Sequence, residues 1–211
     1  MAKGITRQRI VEAALDVLDE AGADAVTVRA VASRLDVKAP ALYWHVSGKQ
    51  ELLDEMGTEI QRRVIASSAP RPGASTLESL GEYARALRRE YLLHRDGART
   101  FSGTRLTDPD VLRAQEPWLE AWTAGGTPLE TAVDAAELVT AFVVGFVIEE
   151  QERSQSAQED PERYDPERRD AFIGENAPLV RRTGHLRADP QERFETQLAM
   201  VLAGVATTLG N

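Results

Sequence analysis

The chain has 211 residues, no cysteine and a formal charge of −9, with 42% hydrophobic and 28% charged residues. That length and composition suit one domain, or a small domain attached to a larger one, and exclude wholesale disorder. Without cysteine there are no disulfides, thiolate metal sites or cysteine nucleophiles, so a reducing cytoplasm is the expected compartment.

The N-terminal stretch "MAKGITRQRIVEAALDVLDEAG" carries acidic residues where an export signal needs apolar ones. The longest unbroken apolar run, Ala141 to Ile148, falls short of the ~18 residues of a membrane span. A soluble protein is expected. The charge is uneven: the first fifty residues hold seven Lys/Arg against six Asp/Glu, so the acidic excess lies beyond them. Only the N-terminal part can approach phosphate without repulsion.

Helical period dominates and no sustained two-residue alternation appears, which predicts an all-α fold. A first helix runs from the cap Thr6 to Ala21, with Gly22 at its stop. A second starts at Thr27 and places Val28, Val31, Ala32 and Leu35 on one face. Asp36 then stands where a left-handed residue is needed. A short third helix follows, with Pro40 in its first turn, and "SGKQ" (47–50) reads as a capping box opening a fourth.

The break "SSAPRPGAS" (67–75) divides the chain into domains 1–66 and 67–211. Beyond it a helix is predicted over about 76–94, then a turn with a short helical piece at "HRDGARTF". Another helix is interrupted near Pro117. Thr127, Pro128 and Glu130 read as a capping box launching a long helix to about residue 152, followed by a polar loop over 153–166. Asp165-Pro166 and Asp189-Pro190 mark two further helix starts.

Helix two, a tight link and helix three form a helix-turn-helix, a small N-terminal DNA-binding unit on a larger helical domain. Leu42 and Val46 share the core face of helix three, leaving Lys38, Ala39, Ala41, Trp44 and His45 mainly outward. Beside DNA, the Tyr43 hydroxyl, Trp44 indole and His45 imidazole can donate to phosphate oxygens. Lys49 sits in the first turn of helix four, where a phosphate accepting both its ammonium and the free backbone N–H groups would relieve the clash with the helix dipole. Arg29 fits the same reading. The plain alternative makes Tyr43 and Trp44 core aromatics.

"TVRAVASRLDVKAPALYWHVSGKQELL" closely resembles the DNA-binding head of the TetR family of bacterial repressors. "LYWHV", "HRDGA", "GTR" (103–105) and "EEQE" (149–152) are similar in order and spacing to the family's tetracycline-binding members, over nearly the whole chain. The resemblance implies that Arg29 and Lys38, Ala39, Pro40 and Ala41 face base edges, while Thr27, Tyr43, Trp44, His45 and Lys49 hold phosphates. Ala39 and Ala41 stand where those members carry polar base-reading residues, so a different operator is expected.

It also implies a homodimer through the long helix near 128–152 and the last helix near 190–208. The effector pocket would lie near Ile65, Tyr83, Leu87, Phe101, Thr104, Arg105, Trp118, Trp122 and Glu149. Trp118 and Trp122 can equally be plain core. Tetracycline-binding members hold their drug as a magnesium chelate. Here Phe101 matches the metal-binding histidine, and Ile65 and Tyr83 match the drug-gripping histidine and asparagine. No metal, no cofactor and a metal-free organic effector are therefore expected.

No phosphate loop, zinc spacing or nucleophile elbow is present, so an enzyme is not expected. Glu149, Glu150 and Glu152 read as a solvated helix end before metal ligands. A constitutive DNA-binding dimer, whose larger half only dimerises or recruits a protein, stays open at this stage.

Overall fold

The computed structural model describes residues 5–71, 73–124, 126–186 and 189–209, and every regular element among them is helical. α1 (Arg7–Ala21) begins at Thr6, whose hydroxyl accepts the Arg9 N–H at 3.3 Å, and ends at Gly22, φ 81°. Such a left-handed value would strain any side chain. A 3-10 turn (Ala23–Ala25) unsignalled by the periodicity leads to α2 (Val28–Arg34), capped by Thr27 on the Ala30 N–H.

α2 closes in a Schellman arrangement. The Val37 N–H donates to the Ala32 carbonyl at 3.0 Å and the Asp36 N–H to that of Ser33 at 3.1 Å, with Asp36 left-handed at φ 55°. This fixes the crossing into α3 (Ala39–Leu42), a single turn shorter than expected, with Tyr43 to His45 continuing as a turn.

α4 (Lys49–Ser67) corrects the predicted capping box. The helix starts one residue later, so Gly48 is the cap and the third helical residue is Glu51 rather than Gln50. The Glu51 carboxylate accepts the Ser47 N–H at 2.6 Å. Ser47, through its hydroxyl and its N–H, holds that carboxyl below the usual carboxylate range.

α5 (Thr76–Leu92) does have a reciprocal box, Ser75 with Glu78. α6 (Gly97–Phe101) follows left-handed Asp96, and α7 (Pro109–Arg113) and α8 (Glu116–Thr123) break near Pro117 as predicted. The box expected at Thr127 does not form, because Pro128 itself is the cap of α9 (Leu129–Glu159) and Glu130 comes one place too early. α9 also runs through residues 153–159, predicted as loop. Arg153 meets Glu149 four residues back, and Gln155 Nε2 reaches Asp96 Oδ1 at 2.9 Å. α10 (Pro166–Ile173) and α12 (Pro190–Leu209) start at the two Asp-Pro pairs, with α11 (Pro178–His185) unpredicted between them.

One apolar core runs from α1 to α12. α5, α9 and α12 pack together, and α4 packs against both α1 and α5. Inside it Arg88 grips Glu150 through two bonds of 2.7 and 3.0 Å while its guanidinium lies 4.8 Å over the Phe194 ring. α9 is long enough to cross a membrane and its most apolar stretch has a mean hydropathy of 1.8, but it buries Val139, Val143 and Val147 against its neighbours as a core helix.

Candidate DNA-facing surface and effector cavity

The N-terminal unit turns its aromatics outward. Trp44 is 90% exposed and Tyr43 55%, whereas Leu42 and Val46 are buried beneath them, as the four-residue spacing predicts. Thr27, Arg29, Lys38, Pro40 and Lys49 are also exposed, and Ala39, Ala41 and His45 half-buried. The Thr27 hydroxyl serves as the α2 cap.

Arg34 is spent on Asp16 and Glu20, at 3.0 and 2.6 Å, and Arg7 on Glu51 and Glu55. Arg29, Lys38 and Lys49 make no ion pair among the described residues. Lys49 donates only to the Ala23 carbonyl, at 3.3 Å. Three unneutralised cations flanking an exposed Tyr-Trp pair form a surface suited to a polyanion.

The larger half holds a cavity of about 270 Å³ between α4, α5, α8 and α9. Of the predicted pocket residues, Ile65, Tyr83, Trp118 and Trp122 line it. Tyr83 and Trp118 meet edge to face at 6.1 Å, and so do Trp118 and Trp122 at 5.6 Å. The Tyr83 hydroxyl shares a hydrogen bond with Thr140 at 3.2 Å, and desolvation pushes its pKa up. The Trp122 indole N–H is buried without a protein partner.

The other predicted pocket residues do not line this cavity. Leu87 is enclosed in the core, and Phe101 packs between Tyr91 and His94 at ring distances of 6.2 and 5.8 Å. The Thr104 hydroxyl donates to the Phe101 carbonyl, and the Arg105 N–H to Asp54 at 3.1 Å. Glu149 is exposed on the far end of α9. These five follow the chain order of the TetR-like pattern, but Leu87 and Phe101 pack in the core, Thr104 and the Arg105 backbone belong to the seam between α4 and the segment 102–108, and Glu149 stays on the surface of α9.

Gln61, Gln115, Leu119, Val133, Ala136, Glu137 and Thr140 complete the lining and were not singled out from the sequence. Spacing could have found several: Gln61 is one turn before Ile65, and Val133, Ala136 and Thr140 form a single stripe of α9.

The chain has counterparts among known proteins. Residues 10–56 match the family model of bacterial regulatory proteins of the tetR family, and 69–209 match the tetracyclin repressor-like C-terminal domain. The chain belongs to the TetR family. It is 34% identical over 201 residues to the class A tetracycline repressor from transposon 1721 of Escherichia coli, covering 93% of this chain and 88% of that one. A possible TetR family regulator from Streptomyces coelicolor A3(2) superposes with a TM-score of 0.78 at 31% identity, covering 96% of this chain and 100% of that one. The Streptomyces coelicolor TetR family protein ActR, solved with (S)-DNPA, gives 0.75 at 29%, over 98% and 99%. These relatives are transcriptional regulators, and this TetR chain is a DNA-binding regulator with a ligand-binding C-terminal domain.

Proposed function

We propose that this chain is a cytoplasmic repressor that binds a pseudo-palindromic operator as a two-fold homodimer and leaves it when a metal-free organic molecule fills the Tyr83–Trp118–Trp122 cavity. The DNA head comprises residues 1–66 and the effector and dimerisation domain 67–211, residues 1–4, 72, 125, 187, 188, 210 and 211 lying outside the described residues. Arg29 and positions 38–41 read base edges. Thr27, Tyr43, Trp44, His45 and Lys49 hold phosphates. No catalytic role is assigned.

The observation that carries this reading is α4. It begins at Lys49, on the DNA-facing surface, and ends with Gln61 and Ile65 in the cavity wall, so a ligand touches the same rigid rod that touches DNA. Dimerisation is supported by an apolar face the protomer leaves open. Leu138, Ala141 and Gly145 of α9 and Met200, Ala203 and Gly204 of α12 are all exposed on two helices that pack side by side.

Magnesium-tetracycline does not fit the residues present. Phe101 has no lone pair to offer a metal, and no group of three His, Asp or Glu among the described residues could hold an ion. The related repressors named for tetracycline therefore share the architecture but not the ligand chemistry. Instead, the cavity offers aromatic walls and the Gln61, Gln115 and Thr140 polar groups, which suit a flat organic molecule with a few hydrogen-bonding groups.

The test is titration of a Trp44→Phe variant, whose remaining tryptophans both line the cavity, with a panel of aromatic metabolites and with tetracycline, with and without magnesium. Indole quenching of this variant by a metal-free aromatic, together with release of duplex from the protein with Trp44 intact, is expected. Tight, magnesium-dependent release by tetracycline would overturn the reading.

A further inference from the structure

Three enclosed polar atoms without a protein partner belong to residues lining one cavity, and it is not the effector cavity. This second space, of about 620 Å³, lies where the turn after α5, the C-terminal half of α9, the Tyr164 turn and the first turn of α12 meet. His94, Arg95, Arg153 and Arg193 line it, beside Tyr164 and Glu150. His94 is only 7% exposed. Its Nδ1 is taken by Asp19 at 3.0 Å, and its Nε2 is enclosed with nothing to bind. Arg153 Nη1 and Arg193 Nε are likewise buried and unpartnered.

Aromatic rings hold the two guanidinium groups in place. Arg193 lies 4.9 Å over Phe146 and Arg153 5.6 Å over Tyr164. The carboxylates close by pair with them only in part. Glu150 is committed to Arg88, Glu149 touches Arg153 only at 3.7 Å from the exposed side, and Arg95 and Arg193 make no ion pair among the described residues. Buried guanidinium N–H groups are normally paired, because leaving them dry and unpaired is costly. An acidic chain, −9 overall, that collects three arginines and an unsatisfied imidazole around a hole of ligand size leaves a local positive excess.

We infer that this cavity is a second ligand site, taking the oxyanion head of a small organic acid between Arg153 and Arg193, with the body of the acid against Tyr164. The planar guanidinium fork matches a carboxylate or phosphate bidentately, which a lysine cluster would not do. The inference is independent of the effector reading, since no residue is shared between the two cavities. Occupancy bears on the DNA head as well. His94 and the Arg95 N–H both hold Asp19 of α1, so an anion here braces the turn that fastens the two halves.

The experiment follows thermal unfolding of the full-length protein with benzoate, phenyl phosphate and the neutral isostere benzamide, at matched ionic strength. Either anion should raise the melting temperature with dose, benzamide should not, and added sodium chloride should weaken the effect. A response to one anion alone assigns the head group and supports the site. The Arg153→Gln/Arg193→Gln double variant should lose at least about tenfold in anion affinity, whereas the Arg99→Gln/Arg113→Gln double variant, which removes the same two charges from exposed positions on α6 and α7, should not. Equal stabilisation by benzamide, an undiminished response in the double variant, or no response to either anion up to ~20 mM would overturn the proposal. A single Arg153→Met variant guards against misfolding of the double one. Its unliganded melting temperature should hold or rise, and a fall combined with an intact anion response would mark the arginines as structural.

Discussion

Lys49→Ala probes the DNA-facing surface with little confusion from stability. In the free protein the Lys49 ammonium makes one long bond of 3.3 Å to the Ala23 carbonyl, in the open, so the melting temperature should shift by no more than about 2 °C. On DNA the same ammonium, at the first helical position of α4, would neutralise one phosphate per protomer. Each lost phosphate contact lowers the slope of log K against log salt by ~0.9, so a two-fold dimer should lose ~1.8. Near 0.15 M salt that slope change is worth roughly thirtyfold in affinity. Fluorescence anisotropy on a generic duplex across a salt series reads both quantities. The loss should be alike for all sequences. An unchanged slope, or a loss confined to one base pair, would refute the phosphate-holding role, and a drop of only ~0.9 would count against two-fold engagement.

The seam between α4 and the segment 102–108 should respond to Gly57→Ala. The new Cβ would lie 2.0 Å from Thr104 Oγ1 and 2.8 Å from Thr104 Cβ, costing about 1–3 kcal/mol against a helix-propensity gain of ~1. Thr104→Gly in the same chain should recover most of it in urea unfolding. Arg88→Met strands the buried Glu150 and should cost ~3–5 kcal/mol, a fall of roughly 6–20 °C, with Arg88→Met/Glu150→Leu recovering much of the loss in a thermal melt. Burial raises the pKa of the Tyr83 and Tyr91 phenols above the ordinary phenol value of 10.0. A raised folded-state value means stability intact below pH ~10 and lost as the pH rises past it, because the unfolded chain ionises first. Circular dichroism and tyrosinate absorbance should therefore show unfolding and ionisation together at alkaline pH.

Local backbone signals were the most legible part of the sequence. Thr6, Thr27, Asp36, Asp165 and Asp189 do what their chemistry predicts, since caps and left-handed turns depend on neighbours within a few residues. The two capping boxes failed for a related reason. S/T-x-x-E/Q is satisfied by several registers, and one residue of slip at Gly48 or Pro128 transfers the cap. α11 escaped notice because it buries little beyond Gly184 and has no side-chain cap. The cavity was half legible: Trp118 and Trp122 share a face by spacing alone, but that Phe101 and Leu87 pack into the core while Gln61 and Thr140 reach the cavity depends on how α4, α5 and α9 cross.

Lys49 and Ile65 stand sixteen residues apart on α4, about 24 Å of continuous helix. The head is fastened to the rest of the protein at two further places. His94 and Asp96 hold Asp19 and the Ala23 N–H at 3.0 and 3.3 Å, and the Arg105 and Thr107 N–H groups donate to Asp54 and Thr58 at 3.1 and 2.9 Å. With those contacts in place, α4 cannot swing without remaking a set of hydrogen bonds, which would make any movement of the head a step between discrete arrangements. A ligand that reverses a 99:1 preference between two such arrangements must bind one ~10⁴-fold more tightly than the other, about 5.5 kcal/mol. Contact with the Trp118 and Trp122 faces alone does not supply that difference if both rings keep their places. Contact with Gln61 and Ile65 can, because those side chains travel with α4. An aromatic molecule that fills the α8 side of the cavity but leaves Gln61 and Ile65 untouched will therefore quench the tryptophans and leave the operator occupied.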